Sequence, residues 1–491
     1  MRSGRRYASG WPACGCFNYP HGRERSIMPT LLRKKRMRRR RAALPGKPKR
    51  RRRSRDDVRR STGKSARSRS ARKRRFWPRR GRAGARRSRN PAFRDVGQSP
   101  APGLELAPGF GDASPAAPPE PESVAAEDAR RPVGFYAGPA EWLRAAGLES
   151  AGHYREYYGG YRYAYRDADW LGDPVPPNFR PLESVSAPAY VATVPNGRLW
   201  GRGGAVITED GRLLSDVSVE YDGDLVLGER HSVFTRWQPF PLRRIRGTAA
   251  VLTFCGSENY FHWLFDVLPR LHLLRLHGEP IDAYVINRNG NRPFQEETLR
   301  MLGLDPARIV ETDDAFHAAA DRLLVPSLVM WSEYPKWATD FVRGELLRSA
   351  DAEEPPSGSG VRLYISRAGA QARRVANEPE VVELLQSRGF IVTDLLSMTV
   401  REQVRLFRSA EAVVAPHGAG LANLAFCRPG AKVIELFAPD YVPKHYWLIG
   451  NHVGLDYYCC LGGGVPRAGG HHHDLVVDPV KLAGALKAAG L

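Results

Sequence analysis

Three short apolar runs between residues 361 and 437, each ending in polar or glycine-rich sequence, restrict the carboxyl-terminal part of this chain to a parallel β-sheet covered by helices. They are Val361-Arg-Leu-Tyr-Ile-Ser-Arg367, then Ala412 to Ala415 leading into Pro416-His417-Gly418-Ala419-Gly420-Leu421-Ala422-Asn423, then Lys432-Val-Ile-Glu-Leu-Phe437. Phe390 to Thr393 supplies a further strand, and helices are expected from Glu378, from Val400 and, briefly, from Ala419. Asn377 with Glu380 and Thr399 with Glu402 have the spacing of a capping box.

The same runs assemble a site for a nucleotide diphosphate. Helix N-termini expose unpaired N–H groups and partial positive charge, so His417, Gly418, Ala419, Gly420 and the helix through Asn423 form a donor-binding segment. Arg367, with Arg373 or Arg374, is placed to close on phosphate oxygens through paired hydrogen bonds. Glu435, an acid inside an apolar strand, is expected to accept the ribose hydroxyls. Each residue alone has a plainer explanation, a solvated loop arginine or an acid capping a turn. Their arrangement on successive strand–helix units is what points to a ligand.

Residues 187–354 read as a preceding α/β domain on the acceptor side, divided from the donor domain at 361–491 by Pro355-Pro-Ser-Gly-Ser-Gly360. Strands are expected at Ala249 to Phe254, Ala283 to Asn287 and near Ile309 and Leu323, with helices from about Asn259 and from Pro293. Before them, Ala187 to Val233 alternates short β segments with turns at Asn196-Gly197, Asp210-Gly211 and Asp222-Gly223. Two D-x-D pairs, Asp222 with Asp224 and Asp167 with Asp169, have the form by which sugar transferases hold a metal, although Asp-Gly is also an ordinary hairpin turn. Residues 133–186, crowded with tyrosines from Tyr154 to Tyr165, read as an extension packed on the next domain.

The helix opening at Asn259 carries a second constellation. At about 100° per residue, Asn259, His262 and Asp266 share one face, while Phe261, Leu264, Phe265 and Leu268 take the other. His262 and Asp266 are one turn apart, so the acid can orient the imidazole or raise its basicity. A polar stripe is often only a solvated face. Here it begins directly after a strand, where βαβ domains hold ligands, so Asn259, His262 and Asp266 are the catalytic candidates.

Net charge is uneven. Residues 1–100 hold 36 Lys and Arg against 4 Asp and Glu, which leaves 39 against 48 in residues 101–491. The arm, over-rich in charge and poor in apolar side chains, is expected to be disordered through the linker ending at residue 132. It lacks the apolar core of a secretory signal, and its sparse aromatics argue against nucleic acid and leave an anionic membrane surface, or a reading frame begun too early, as its explanation. Six cysteines without paired zinc spacing suggest reduced thiols, and no run of eighteen apolar residues suggests a membrane span. His471 to His473 reads as an exposed turn.

The order of Asn259-Tyr-Phe-His-Trp-Leu-Phe-Asp266, Ile365-Ser-Arg367 with Arg373-Arg-Val-Ala-Asn-Glu378, Ser409 to Asn423, and Val433-Ile-Glu-Leu-Phe437 resembles glycosyltransferase family 61 from roughly Ala187 to Tyr446. The resemblance implies an inverting, generally metal-independent enzyme of the GT-B type, an α/β fold of two Rossmann-like domains facing a cleft. It implies donor contacts at Arg367, Arg374, His417, Gly418 and Glu435 and acceptor-side or catalytic roles near Asn259, His262 and Asp266. The expectation is a cytoplasmic enzyme, peripheral to the membrane at most. It would move a sugar from a nucleotide-diphosphate sugar, a UDP-sugar first of all, to a glycan hydroxyl in capsular or cell-surface polysaccharide synthesis, with no metal. Two alternatives stay open: a metal-dependent transferase using Asp222 and Asp224, and a nucleic-acid-binding protein acting through the basic arm.

Overall fold

The computed structural model describes residues 122–123, 130–180, 182–290, 292–352, 360–465 and 473–491. The arginine-rich arm, nearly all of the linker after it, residues 355–359, and His471 and His472 lie outside them. His473 is described and pairs with Asp440 at 3.0 Å.

The leading sheet is built around four parallel strands in the spatial order Ile309–Thr312, Ala283–Asn287, Arg243–Val251, His317–Pro326. Beyond His317–Pro326 the direction reverses: Ala189–Pro195 and Arg198–Trp200 both pair antiparallel with it, followed by Ala205–Ile207 and Arg212–Leu214. The expectation of a Rossmann-like sheet in this half is therefore corrected. Turns such as Asn196-Gly197, where Asn196 takes a left-handed φ of 48°, fold the 187–214 segment back on itself and add an antiparallel wing to the parallel core.

The trailing sheet is parallel throughout, ordered Phe390–Thr393, Val361–Ile365, Ala410–Pro416, Lys432–Phe437, Asp456–Leu461. Numbered along the chain this order is 2-1-3-4-5, so Val361–Ile365 and Ala410–Pro416 are neighbours whose connections leave in opposite directions. The crevice beyond their carboxyl ends is a topological switch point, the place where open α/β sheets bind ligands. Helices Glu378–Gln386, Val400–Arg408, His445–Val453 and Pro479–Ala488 and the tighter 3₁₀ helix Ala419–Phe426 cover it. Thr399 and Glu402 make the full capping box at Val400.

Between the sheets, Leu264, Phe265 and Leu268 of the leading lobe and Leu363, Leu421, Phe426 and Trp447 of the trailing lobe belong to one buried apolar cluster. The expected cleft is thus a packed interface at this level. The tyrosine-rich extension binds both lobes. Tyr154–Tyr158 pairs with Ala189–Pro195, and the ring of Tyr158 stacks on Trp337 at 5.0 Å. Further along, Asp169 adds to the free edge of the trailing sheet, its N–H donating to the Tyr457 carbonyl at 2.9 Å and its carbonyl accepting from Cys459 at 2.8 Å. Arg166 is held by Asn451 and Trp447.

Of the two D-x-D pairs, Asp222-Gly223-Asp224 forms the turn of a hairpin between Glu220–Tyr221 and Leu225–Val226, with Gly223 at φ 72°. Asp167 is ion-paired to Arg180 at 2.6 Å. Among the described residues no cluster of three metal-ligating side chains occurs, and no helix is long and apolar enough to cross a membrane.

Candidate active site

The switch point of the trailing sheet gathers positive charge. Arg367 follows Ile365, and its guanidinium lies against Gly418, the residue ahead of the 419–426 helix. A Cβ on Gly418 would overlap Arg367 Nη1 and sit 2.7 Å from Cζ. Arg367 is steadied by the carbonyls of Ala372 at 2.9 Å and Arg373 at 3.2 Å. Arg373, held at a left-handed φ of 55°, donates Nε to the His417 carbonyl at 3.3 Å and rests on the ring of Tyr441 at 5.1 Å. Two guanidinium groups and a helix start thus converge as the sequence predicts. Arg374 does not join them: it makes a two-toothed pair with Asp474 at 3.0 and 3.2 Å, which locks the loop.

His417 and Glu435 form a buried dyad, Nδ1 to Oε1 at 2.6 Å, and the Tyr457 hydroxyl donates to Glu435 Oε2 at 2.6 Å. Both carboxylate oxygens are engaged and the side chain is fully buried, so the expectation that Glu435 binds ribose is corrected: it orients His417. Burial pushes Glu435 well above the usual carboxylate range, with Tyr457 opposing, and pushes His417 well below the usual imidazole range, helped by Arg373. Both directions favour the neutral pair. A protonated Oε1 then donates to Nδ1, which leaves the His417 proton on Nε2. Nε2 is buried and has no partner among the described residues, so this imidazole is a hydrogen-bond donor with nothing yet to donate to.

A second dyad lies in the leading lobe, His262 Nδ1 to Asp266 Oδ2 at 2.8 Å. The helix around it differs from the expected amphipathic one. After Tyr260–His262 it widens into a π-turn over Trp263–Val267, closed by Leu268 N–H to the Trp263 carbonyl at 3.0 Å. All of Phe261 to Leu268 is buried. The three polar groups therefore do not share an exposed face. Asn259 caps the helix by accepting from Phe261 N–H at 2.9 Å, which is a structural duty. The His–Asp pair survives because both are turned into the protein, and π-turns of this kind recur at functional sites.

Asp266 differs from Glu435 in having a cation beside it. Arg270 is fully buried, donating to the carbonyls of Val251 at 2.7 Å, Thr253 at 3.0 Å and Pro326 at 3.1 Å. It thereby satisfies carbonyls at the carboxyl ends of two parallel strands, and burial lowers its guanidinium to about 10. Burial raises Asp266, while His262, Arg270 and Tyr334 hold it back. A neighbouring cation favours the carboxylate, which keeps Nδ1–H on His262 and makes its other nitrogen a proton acceptor. The two dyads are poised for opposite roles.

Asn423, read from the sequence as a donor residue, instead ties the lobes: its Oδ1 accepts from Tyr260 at 2.9 Å and its Nδ2 donates to Gln403 at 2.8 Å, fully buried. Sequence reasoning missed Arg270, Tyr334, Tyr441, His445 and Tyr457. Only Arg270 carried a signal, a charge one helical turn past Asp266. Surface cavities of about 350 Å³, lined by Arg362, Glu411, Arg428 and Lys432, and about 200 Å³, lined by Arg166, Asp169, Asn451 and Tyr458, include neither dyad.

A parallel sheet with a cationic switch point thus stands beside a carboxylate-held imidazole from a second α/β lobe. Residues 260–434 match the family model described as Glycosyltransferase 61. Both dyad histidines, Asp266 and the switch-point arginines fall inside it, and Glu435 follows its last residue. The chain is 26% identical over 203 residues to a beta-1,2-xylosyltransferase of Oryza sativa subsp. japonica, covering 36% of this chain and 37% of that one. It is 29% identical over 103 residues to a beta-1,2-xylosyltransferase of Arabidopsis thaliana, covering 18% and 19%. The alignments thus span well under half the length of either relative.

Proposed function

We propose that this protein is an inverting glycosyltransferase of the GT-B type that takes a nucleotide-diphosphate sugar and an acceptor hydroxyl of a glycan. The observation that carries the reading is a buried imidazole–carboxylate dyad on each lobe, with Arg367, Arg373 and a helix start gathered beside one of them. The diphosphate lies at the start of the 419–426 helix, held by Arg367, Arg373 and the outward proton of His417. The acceptor hydroxyl gives its proton to His262, its oxygen bonds to the anomeric carbon, and the bond from that carbon to the diphosphate breaks with the electron pair leaving on the phosphate oxygen. Attack opposite the leaving group inverts the configuration. Guanidinium groups and helix N–H donors supply the charge that the leaving diphosphate needs, so transfer proceeds without a metal.

Two relatives are named as xylosyltransferases, which makes UDP-xylose the first donor to try and a pentosyl group the favoured cargo. We place the reaction in the cytoplasm, on a cell-surface polysaccharide, where the free thiols of Cys255, Cys427, Cys459 and Cys460 remain reduced. The dyad side chains are at most 2% exposed, so their cover must move for substrate to enter.

A panel of UDP-sugars screened by thermal shift, followed by transfer assays with and without EDTA, tests the proposal. Stabilisation by one donor and EDTA-insensitive transfer to give the inverted anomer support it. Retention of configuration, or activity that EDTA removes and manganese restores, refutes it.

A further inference from the structure

The first turn of the 445–453 helix brings a third imidazole to the two dyads. His445 is 6% exposed, and its Nε2 is buried without a hydrogen-bond partner among the described residues. The ring of Phe261 lies 5.2 Å from that of His262 and 5.3 Å from that of His445. Tyr446, the next residue, lies 4.9 Å from His417 and 5.4 Å from Phe261. His445 is thus one ring away from His262 and two from His417, close enough for a charge on His262 to act on it and for its own to act on His417.

Its position is held from the other lobe. Glu333 and Tyr334 both take left-handed backbone angles, φ 47° and 58°, a conformation that non-glycine residues adopt at some expense. From this turn Glu333 pairs with Lys444 at 2.9 Å, and Tyr334 sets its ring edge-on to His445 at 5.5 Å with its hydroxyl 3.5 Å from Asp266 Oδ2. Orphan nitrogens alone would not single out His445, since His317 and His452 also have one. Those two lie elsewhere, His317 against Trp237 and His452 against Thr339 and Tyr163. A buried polar atom without a partner among the described residues points to a ligand, and this one lies beside the reacting groups.

Resting on the transferase reading above, we propose that His445 contacts the transferred sugar, its Nε2 hydrogen-bonding a hydroxyl of that sugar and so selecting which sugars are moved. In a displacement the sugar must lie between the acceptor oxygen at His262 and the diphosphate at His417, which is the position His445 flanks. Burial keeps the imidazole uncharged, lowering it to about 3, so it serves as a fixed hydrogen-bonding group.

The test compares UDP with UDP-xylose, by calorimetry and transfer, on the full chain and on His445→Leu and His445→Gln. His445→Leu should bind UDP within about twofold of the parent, lose the extra affinity that the sugar confers, and drop kcat/KM about 10²-fold, whereas His445→Gln, which keeps a hydrogen-bonding group, should stay within about tenfold. Should His445→Leu fail to fold, His445→Gln decides through the deoxy analogues of the donor: one missing hydroxyl must matter in the parent and matter less in the variant. His445→Leu with unchanged affinity for UDP-xylose, or a deoxy series identical in parent and His445→Gln, overturns the assignment of His445 alone. A parent protein that binds neither UDP nor UDP-xylose overturns the transferase reading and this one with it.

Discussion

The opposite poise of the two dyads predicts opposite results from the same chemical change. Asp266→Asn removes the negative charge that supports the imidazolium formed when His262 takes a proton. With Nδ1 and Oδ2 2.8 Å apart, the charge centres stand about 4 Å apart, which at an effective dielectric of 20 is worth about 4 kcal/mol, or about 10³-fold in rate. Glu435→Gln removes no charge, because burial already keeps that carboxyl protonated. The amide can still donate to His417 Nδ1 and accept from Tyr457, so UDP affinity and turnover should stay within about fivefold. Steady-state turnover with saturating donor, alongside calorimetric titration of UDP, separates the two. An Asp266→Asn protein near the parent rate would refute His262 as the base. A Glu435→Gln protein as impaired as Asp266→Asn would refute the neutral pair and with it the direction of the His417 proton.

Gly418→Ala drives its methyl into Arg367, whose guanidinium cannot retreat without losing its carbonyls at Ala372 and Arg373; UDP affinity should fall about 10- to 100-fold, and a double-mutant cycle with Arg367→Met should show no further loss. His445 and His452 are lowered to about 3 and His272 to about 4, all by burial, so the folded protein binds fewer protons than the unfolded chain below the ordinary imidazole range. Stability from these groups is complete above about pH 6.5 and falls with pH by about 1.4 kcal/mol per unit for each, down to about pH 4; in urea unfolding from pH 7.5 to 5, His452→Leu should lose that one group's share, about 1.4 kcal/mol per unit, relative to the parent. Asn423→Ala strands the Tyr260 hydroxyl and the Gln403 side chain inside the lobe interface and should lower unfolding free energy by about 2–3 kcal/mol in the same assay.

What the sequence made legible was what local pattern encodes. The strands at Val361, Phe390, Ala412 and Lys432 stand where apolar runs of strand length place them, and the Gly418 helix start and Arg367 meet because the strands before them, first and third along the chain, are neighbours in the sheet. The His262–Asp266 pair was legible from its one-turn spacing. The rest depended on contacts that no local pattern carries. A helical wheel assumes 3.6 residues per turn and a wet face, and the π-turn after His262 and the second lobe remove both assumptions. Glu435 looked available for ribose because its partner Tyr457 sits on the neighbouring strand, twenty-two residues later, and Asn423 looked like a ligand because Tyr260 lies in the other lobe. The strand Asp456–Leu461 escaped notice because Asp-Tyr-Tyr-Cys-Cys-Leu has neither alternation nor a long apolar run.

The segment through Arg166 and Asp169 emerges from the ribosome long before the residues that hold it, since Asn451 and Leu455 lie 285 and 289 positions downstream. Until the trailing lobe is made, Tyr165 and Trp170 lack the rings of Trp447 and Phe437 they pack against. Ordering of this segment therefore waits until residues 451–455 have been made, and a nascent chain stalled before residue 456 carries an unclaimed aromatic ribbon for chaperones to shield and proteases to find.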